Sequence, residues 1–232
     1  MITIGIPVFN MQEFLPDAIE SALNQKYNFD WEIIICNDGS IDGSYEIAKK
    51  YAEENPLKVV LIDQVNKGLA SARNTILMNA VGGWLLYLDA DDMLEENAIA
   101  RIEQEIKNNP EADIIAPSFK CFGLNNDLII LMPDPKLEDF RDGNRVGYCC
   151  AIRKSVLLAV GGYSPRMNFG YEDLHLTMNL LTRGAKLITI PDILWLYRVK
   201  QESMITESKK HHVELLAQIN KDFPSVQLNF PA

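Results

Sequence analysis

Short apolar runs alternate with longer segments of helical period along the first hundred residues. The apolar runs predict strands over residues 2–9, 31–36, 57–62 and 84–88. The segments between them, in which apolar residues recur every three or four positions, predict helices over residues 13–25, 44–54 and 69–79. The run 31–36 is apolar at almost every position, which is typical of a parallel strand covered on both faces. This βαβαβαβ order predicts an α/β fold with a doubly wound, mostly parallel, Rossmann-like sheet.

The pattern changes after a further predicted helix over residues 98–108. Two strand-like pieces, 113–122 and 128–132, flank a polar turn and predict a small antiparallel hairpin. A polar segment rich in Pro and Asp, residues 133–144, predicts a mobile loop. Beyond it the sequence predicts two strands and two helices, over residues 147–152, 186–190, 171–182 and 205–222. Because no repeat or break in composition divides the chain, we expect a single domain, 1–232, with halves of about 1–110 and 111–232.

Composition and charge narrow the classes of partner. Lys and Arg number 22 and Asp and Glu number 32, which gives a net charge of −10 and disfavours a nucleic-acid partner. The four cysteines show no CxxC spacing, so we expect reduced, buried thiols. The N-terminus lacks the basic start of a secretory signal, and no apolar run approaches the roughly 20 residues of a membrane span. We therefore expect a cytoplasmic chain without a transmembrane segment.

Acidic turns follow two of the predicted parallel strands. Asp38 lies in the turn after the second strand, and Asp89, Asp91 and Asp92 end the fourth strand. The carboxyl ends of parallel strands are where ligands bind in such sheets, and a carboxylate there can accept from a ribose hydroxyl or a base N–H. Three carboxylates in four positions also suit Mg²⁺ or Mn²⁺. A solvated turn that caps the next helix would explain the same residues without any ligand.

Two further features come from segments that are distant in sequence. Residues 66–68 (NKG) place a glycine at a helix start, with Arg73 in the following turns, where backbone N–H groups and a guanidinium can meet a nucleotide. Glu172 and Asp173 open a helix after an aromatic, Gly-rich stretch. Either feature by itself is explained equally well as ordinary helix capping.

Taken together, these segments resemble the ordered motifs of the family-2 inverting glycosyltransferases with the GT-A fold. The resemblance covers residues 2 to about 198, in register, and rests on these segments: IPVFN at 6–10, NDGSIDGS at 37–44, NKG at 66–68, ARN at 72–74, LDADD at 88–92, GGY at 161–163 and ED at 172–173. It implies that residues 1–110 bind a nucleoside-diphosphate sugar, with a UDP-sugar favoured. Residues 111–232 would then form the acceptor-side half, which receives a glycan or a lipid-linked acceptor.

The resemblance also implies roles for individual residues in donor binding. Pro7, Phe9, Asn10 and Glu13 would line the nucleotide pocket, and Asp38 would accept from the base. Arg73 would lie near the base or the phosphates and Asp91 near the ribose, and Lys67, Gly68 and Asp89 would also bind the nucleotide sugar. Asp92 would be the carboxylate that binds Mn²⁺ or Mg²⁺ on the diphosphate, where the metal acts as a Lewis acid on the leaving group.

On the acceptor side, the resemblance implies that Asp173 is the general base, with Tyr171 and Glu172 beside it. Asp173 would take the proton from the acceptor hydroxyl as its oxygen displaces the nucleoside diphosphate with inversion. The expected role is in polysaccharide or glycoconjugate biosynthesis. A lipid-linked acceptor would have to be met at the inner membrane surface, by peripheral contact.

One segment departs from the family pattern. Many relatives carry Tyr-Arg-x-His near the end of the sheet, with His as a further metal ligand, whereas this chain has Lys200 two positions after Arg198. Both cations are candidate diphosphate contacts, and Lys200 either takes over part of the metal's role or is a surface lysine. Because of this departure, an alternative function also remains: the chain would be a relative that binds nucleotide sugars or glycans but has lost turnover. A nucleotidyltransferase of the same topology is disfavoured, because the first strand is not followed by a Gly-rich basic loop.

Overall fold

The parallel half of the fold matches the predicted alternation of strands and helices. The computed structural model describes residues 1–26, 30–201 and 208–231. Its first half has the strands β1 (Ile2–Val8), β2 (Trp31–Asp38), β3 (Val59–Gln64), β4 (Trp84–Tyr87) and β5 (Met93–Leu94). The helices of this half are α1 (Leu15–Leu23), α2 (Ser44–Glu54), α3 (Leu69–Asn79) and α4 (Ala98–Asn108).

The second half adds strands that run in both directions. They are β6 (Ile114–Gly123), β7 (Leu128–Ile129), β8 (Ala151–Arg153) and β9 (Leu187–Val199). Its described helices include α5 (Lys154–Val160), α6 (Glu172–Thr182) and α7 (His212–Asp222), with a 3-10 helix at Leu137–Asp142. Among the described residues, one nine-stranded sheet has the order β3-β2-β1-β4-β8-β6-β9-β5, and β7 pairs with β6.

Strand direction divides the sheet into a parallel and a mixed part. β1 pairs in parallel with β2 and β4, and β2 pairs in parallel with β3, so their carboxyl ends meet at one edge. β8 is antiparallel to both β4 and β6, whereas β6 and β9 are parallel. The predicted mixed, mostly parallel sheet with a small hairpin is confirmed.

Burial on both faces explains the apolar runs of the parallel strands. In β2, Ile33 and Ile35 pack against α1 and its neighbours, while Ile34 and Cys36 pack against the opposite layer that contains α3. β1 contains a glycine because α3 crosses it closely: a Cβ on Gly5 would lie 2.7 Å from Cγ2 of Ile76. All four cysteines are free and buried, as predicted.

Several predicted boundaries in the second half are wrong. The strand predicted over 147–152 is confined to Ala151–Arg153, and the hairpin strand predicted over 128–132 is confined to Leu128–Ile129. The expected loop 133–144 contains the 3-10 helix, whose Phe140 is completely buried, so apolar packing fixes this segment despite its polar composition. The short elements α5 and β5 were not predicted.

Two further boundaries concern β9 and the last helix. β9 continues nine residues past the predicted end at 190, because the pairing with β6 skips Pro191 in a bulge, from Pro117↔Ile190 to Ser118↔Ile193. Proline lacks a backbone donor and usually marks a strand end, which explains the shorter prediction. Within the last helix, predicted over 205–222, residues 208–210 and 212–222 are helical and are separated by a turn at His211, while 205–207 lie outside the described residues.

Candidate functional site

A cavity of about 1360 Å³ opens at the carboxyl ends of the parallel strands. It is bordered by residues from both halves of the chain. Of the sixteen residues predicted for the site, thirteen line it: Pro7, Phe9, Asp38, Lys67, Gly68, Arg73, Asp89, Asp91, Tyr171, Glu172, Asp173, Arg198 and Lys200. The other three, Asn10, Glu13 and Asp92, are not part of its lining.

The loop before α3 is held by the buried carboxylate of Asp38 at the end of β2. One carboxylate oxygen accepts from the backbone N–H of Lys67 at 2.9 Å and from the side chain of Gln64 at 2.7 Å. The other oxygen accepts from the backbone N–H of Gly68 at 2.8 Å. Gly68 has φ +85°, a conformation that favours glycine, and directly precedes α3. In this arrangement Asp38 fixes the loop that borders the cavity.

Asn10 joins the loop after β1 to the loop after β2. Its side-chain oxygen accepts from the backbone N–H of Ile41 at 2.9 Å, and its own N–H donates to Oγ of Ser40 at 3.0 Å. Asn10 has φ +54°, which asparagine tolerates better than most residues. Asn10 thus holds these two loops together without lining the cavity itself. Glu13 is exposed to solvent and does not line the cavity either.

Arg73 connects the start of α6 to the turn that follows β4, residues 89–92, which is called the acidic turn below. Its guanidinium donates to Asp89 at 2.8 Å and to Glu172 at 2.6 Å, and the side chain is only 1% exposed. Tyr87 donates to the backbone carbonyl of Arg73 at 2.9 Å. Burial raises the pKa of Asp89 to about 6, although the charge of Arg73 acts in the opposite direction. The guanidinium is therefore engaged by two carboxylates at the cavity wall.

Asp92 points into the protein and is held by hydrogen bonds on both oxygens. Tyr148 donates to Oδ2 at 2.5 Å, and the backbone N–H of Arg198 donates to Oδ1 at 2.7 Å. The same Tyr148 hydroxyl accepts from the backbone N–H of Asp89 at 3.0 Å. Burial, together with the neighbouring carboxylates, raises the pKa of Asp92 well above its usual range. Tyr148 thereby fixes both ends of the acidic turn.

Asp91 is the member of the turn that pairs with Lys200 at the cavity. The Nζ of Lys200 lies 2.5 Å from Oδ2 of Asp91, and both side chains are about one-fifth exposed. Arg198 donates through Nε to the backbone carbonyl of Asp91 at 2.7 Å and through a terminal nitrogen to Asp17 at 2.8 Å. The end of β9 and the residue that follows it thus bring two cations to the acidic turn.

The arrangement of these carboxylates decides whether a divalent ion fits. Mg²⁺ and Mn²⁺ need several oxygen ligands with free lone pairs around one point. Asp89 is paired with Arg73, Asp91 is paired with Lys200, and Asp92 is directed away from the cavity. Over residues 1–26, 30–201 and 208–231, no group of three His, Cys, Asp or Glu side chains is placed to hold a metal. The described side chains therefore do not complete a divalent-ion site by themselves, and the ion pairs of Asp89 and Asp91 compete with metal binding.

Asp173 lies in the first turn of α6, at the cavity. Tyr171 caps this helix with φ +58°, a strained backbone conformation for an aromatic residue, and its hydroxyl is 2.8 Å from Nδ1 of His212. Burial and the adjacent charge of Glu172 raise the pKa of Asp173 to about 7. A carboxylate that titrates near neutral pH is suited to accept a proton from a hydroxyl.

Residues 3–161, which contain β1 to β4 and the acidic turn, match the model of glycosyl transferase family 2. The chain belongs to this family. Over 219 residues it is 35% identical to glycosyltransferase GlyA of Streptococcus pneumoniae, covering 88% of this chain and 31% of GlyA. The chain thus spans about a third of the length of this relative. It is also 28% identical over 224 residues to WfaP of Escherichia coli, covering 95% of this chain and 84% of that protein.

Solved structures of other proteins have the same fold. S. aureus TarS 1-349 in complex with UDP-GlcNAc superimposes with a TM-score of 0.81 at 16% identity, covering 98% of this chain and 68% of that one. Mannosyltransferase PcManGT from Pyrobaculum calidifontis, in complex with GDP-Man and Mn²⁺, superimposes with a TM-score of 0.73 at 20% identity. The match covers 95% of this chain and 64% of that one. The predicted GT-A fold of this family-2 chain is confirmed.

Other cavity residues of this family-2 chain were not found from the sequence. Tyr148 lies in an apolar stretch that gives no signal of its contacts with the acidic turn. Ile129, Ile130 and Met132 of the predicted hairpin are partly exposed at the cavity, but the pattern did not show that the hairpin folds toward it. Across the described part of the chain, no helix is long and apolar enough to cross a membrane.

Proposed function

We propose that this chain is an inverting glycosyltransferase that moves a hexose or N-acetylhexosamine from a nucleoside-diphosphate sugar to an acceptor hydroxyl. The observation that carries the proposal is the position of Asp173 at the same cavity as the strand-end loops; burial there and the charge of Glu172 raise the pKa of its carboxyl to about 7. A UDP-sugar is the favoured donor, because TarS was solved with UDP-GlcNAc and the printed name of WfaP specifies UDP-Glc.

The donor binds across the carboxyl ends of β1, β2 and β4. Pro7 and Phe9 form an apolar wall for the base and ribose, while Asp38 holds the loop of Lys67 and Gly68 against it. The diphosphate lies beside the acidic turn, where the first backbone N–H groups of α3 attract anions. Two carboxylates of the turn are compensated by cations, Asp89 by Arg73 and Asp91 by Lys200.

Transfer follows from the placement of Asp173 opposite the donor. The acceptor hydroxyl donates to Asp173, which removes its proton as the oxygen attacks the anomeric carbon. The bond from that carbon to the diphosphate oxygen breaks in the same step, so the configuration inverts and no covalent enzyme intermediate forms. Glu172 keeps α6 in position through its contact with Arg73.

The acceptor is a glycan or a lipid-linked sugar, as part of polysaccharide or glycoconjugate biosynthesis. Exposed apolar residues of the hairpin, Ile129, Ile130 and Met132, border the cavity and are suited to contact the lipid of such an acceptor. The printed name of WfaP includes a diphosphoundecaprenol acceptor. Peripheral contact of this hairpin with the inner membrane surface would bring such an acceptor to Asp173.

The proposal is tested by transfer assays with Asp173→Asn. UDP-Glc, UDP-GlcNAc, UDP-Gal and GDP-Man are each incubated with glycan and lipid-linked acceptors, and the released nucleotide and the product anomer are measured. Wild-type protein should release nucleotide only with an acceptor and give the inverted anomer, and Asp173→Asn should bind donor within a few-fold but lose transfer. Asp30→Asn, exposed at the opposite end of β2, is the matched control.

Three results would contradict the proposal. Equal loss of donor binding and transfer in Asp173→Asn would remove its assignment as the base. Retention of the anomeric configuration would exclude the single displacement. Donor binding without transfer to any acceptor would favour the relative that has lost turnover.

A further inference from the structure

Lys200 places a positive charge at the cavity, next to the carboxylate of Asp91. A nucleoside diphosphate beside the acidic turn would meet Asp91, whose carboxylate borders the cavity, and two like charges repel unless a cation lies between them. The Nζ of Lys200 lies 2.5 Å from that carboxylate. The ammonium has three donors, so one bond to Asp91 leaves two for a ligand in the cavity.

Three arginines line the cavity, and the two that contact the acidic turn, Arg73 and Arg198, are less available than Lys200. Arg73 is buried, and its terminal nitrogens bind Asp89 and Glu172. Arg198 donates to Asp17 and to the backbone carbonyl of Asp91. Besides Asp91, the contacts that other described residues make with the Lys200 ammonium are weak: Sδ of Met11 at 3.9 Å and the ring of Phe14 at 4.9 Å. Among the described cations that contact the acidic turn, Lys200 thus has capacity for a further anion.

The ion pair between Lys200 and Asp91 also disfavours binding of a divalent ion to Asp91. A metal bound to this carboxylate would lie within a few ångströms of the ammonium, and the two positive charges would repel each other. The other two carboxylates of the turn do not compensate, because Asp89 is paired with Arg73 and Asp92 is bonded to Tyr148 inside the protein. The local charge balance thus favours a lysine and a diphosphate over a metal and a diphosphate.

We propose that Lys200 binds the diphosphate of the donor directly, and that nucleotide binding by this chain does not require a divalent ion. The inference rests on the proposed function, since it concerns the donor of that reaction. Lys200 shares its ammonium between Asp91 and the β-phosphate, and as the sugar leaves it stabilises the growing charge on the diphosphate oxygen.

Calorimetric titration of UDP, GDP and UMP tests binding without any turnover. We expect UDP or GDP to bind wild-type protein with dissociation constants that agree within about twofold in EDTA and in Mn²⁺. UMP lacks the β-phosphate and should bind at least about tenfold more weakly than UDP, if UDP is the nucleotide that binds.

Three variants separate the role of Lys200 from a general effect on folding. Lys200→Met keeps the length of the side chain, and we expect it to weaken diphosphate binding about tenfold in EDTA, which corresponds to about 1.4 kcal/mol, while UMP binding changes little. Lys200→Arg should retain most of the affinity, because it keeps the charge. Lys50→Met, on an exposed position of α2, is the matched control and should bind like wild-type protein.

Lys200→His provides the opposite test. A neutral imidazole can bind a metal and no longer repels one, so we expect UDP affinity in this variant to rise on addition of Mn²⁺ and to fall again in EDTA. The thermal unfolding midpoint of each variant, measured without nucleotide, shows whether the fold is retained.

The outcomes distinguish this inference from the proposed function. Tight binding of UDP or GDP by wild-type protein in Mn²⁺ that disappears in EDTA would overturn the role of Lys200 and leave the glycosyltransferase proposal intact. Unchanged UDP affinity in folded Lys200→Met would overturn it as well. Failure of every nucleotide and nucleotide sugar to bind under both conditions would overturn both proposals.

Discussion

Replacing Asp173 with asparagine should abolish transfer and at the same time stabilise the protein at neutral pH. Burial and the charge of Glu172 raise the pKa of this carboxyl from 3.8 to about 7, so ionising it in the folded state costs free energy. The folded protein holds a proton on Asp173 between these two pH values, whereas the unfolded chain has lost it. Stability therefore falls as the pH rises through this interval, and the full penalty applies above pH 7.

The size of the effect follows from the difference of about three pH units. At 1.36 kcal/mol per unit, the penalty above pH 7 is at most about 4 kcal/mol, and it vanishes below about pH 4. Asp173 borders the cavity and keeps some contact with water, which reduces the penalty, so we expect 1 to about 4 kcal/mol. Asparagine carries no charge, and Asp173→Asn should therefore exceed wild-type stability by this amount at pH 8.

Urea denaturation at pH 4.5, 6 and 8 measures the free energy of unfolding of both proteins. The advantage of Asp173→Asn should increase from pH 4.5 to 8, while Asp30→Asn at an exposed position should stay within about 0.5 kcal/mol of wild-type protein. A stability difference that is the same at all three pH values would refute the raised pKa. In transfer assays, kcat/KM of wild-type protein should rise about tenfold per pH unit up to about pH 7 and then level off.

Three other substitutions change residues that hold the segments around the cavity in place. Arg73→Met leaves two carboxylates without their shared partner and should lower the free energy of unfolding by about 3–5 kcal/mol, whereas Arg101→Met, at a more exposed ion pair, should cost less than about 1 kcal/mol in urea denaturation. Tyr148→Phe removes the hydroxyl that fixes the acidic turn and should cost about 1–3 kcal/mol, measured in the same way, and weaken UDP binding in calorimetry. Gly39→Ala forces a Cβ to 2.7 Å from a backbone nitrogen at φ +70° and should lower the thermal midpoint by several degrees, whereas Gly83→Ala, where a Cβ meets open space, should not.

The parallel half of the fold could be predicted because its sequence pattern is local. Strands such as β2 are apolar on both faces, the helices between them have a clear period, and the turns contain Gly and Asp. The second half follows a less regular pattern. Pro191 lies inside a strand because β9 bulges there, and Phe140 fixes a polar segment through a single buried ring. Such features depend on contacts with distant residues and leave no periodic signal.

The site shows the same division at the level of single side chains. The predicted topology brings Asp38 and Asp91 to one edge of the sheet, and the family resemblance implies that Asp173 faces the donor there; all three line one cavity. The sequence did not show that Asp92 points inward to Tyr148, or that Arg73 is enclosed between two carboxylates. The sequence does not distinguish the adjacent residues Asp91 and Asp92. The backbone path after β4 decides that Asp91 borders the cavity and that Asp92 is buried.

The sequence by itself determined the family, the order of the parallel elements and the edge of the sheet where the chemistry-bearing residues collect. It did so because strand and helix periods are local and because parallel strands place their carboxyl ends together. Only the tertiary structure decided which charges are paired. Lys200 lies 109 residues after Asp91 in the chain, and their contact exists because β9 runs alongside β5 and returns to the acidic turn. Charge pairing depends on distances of a few ångströms, which sequence order does not specify.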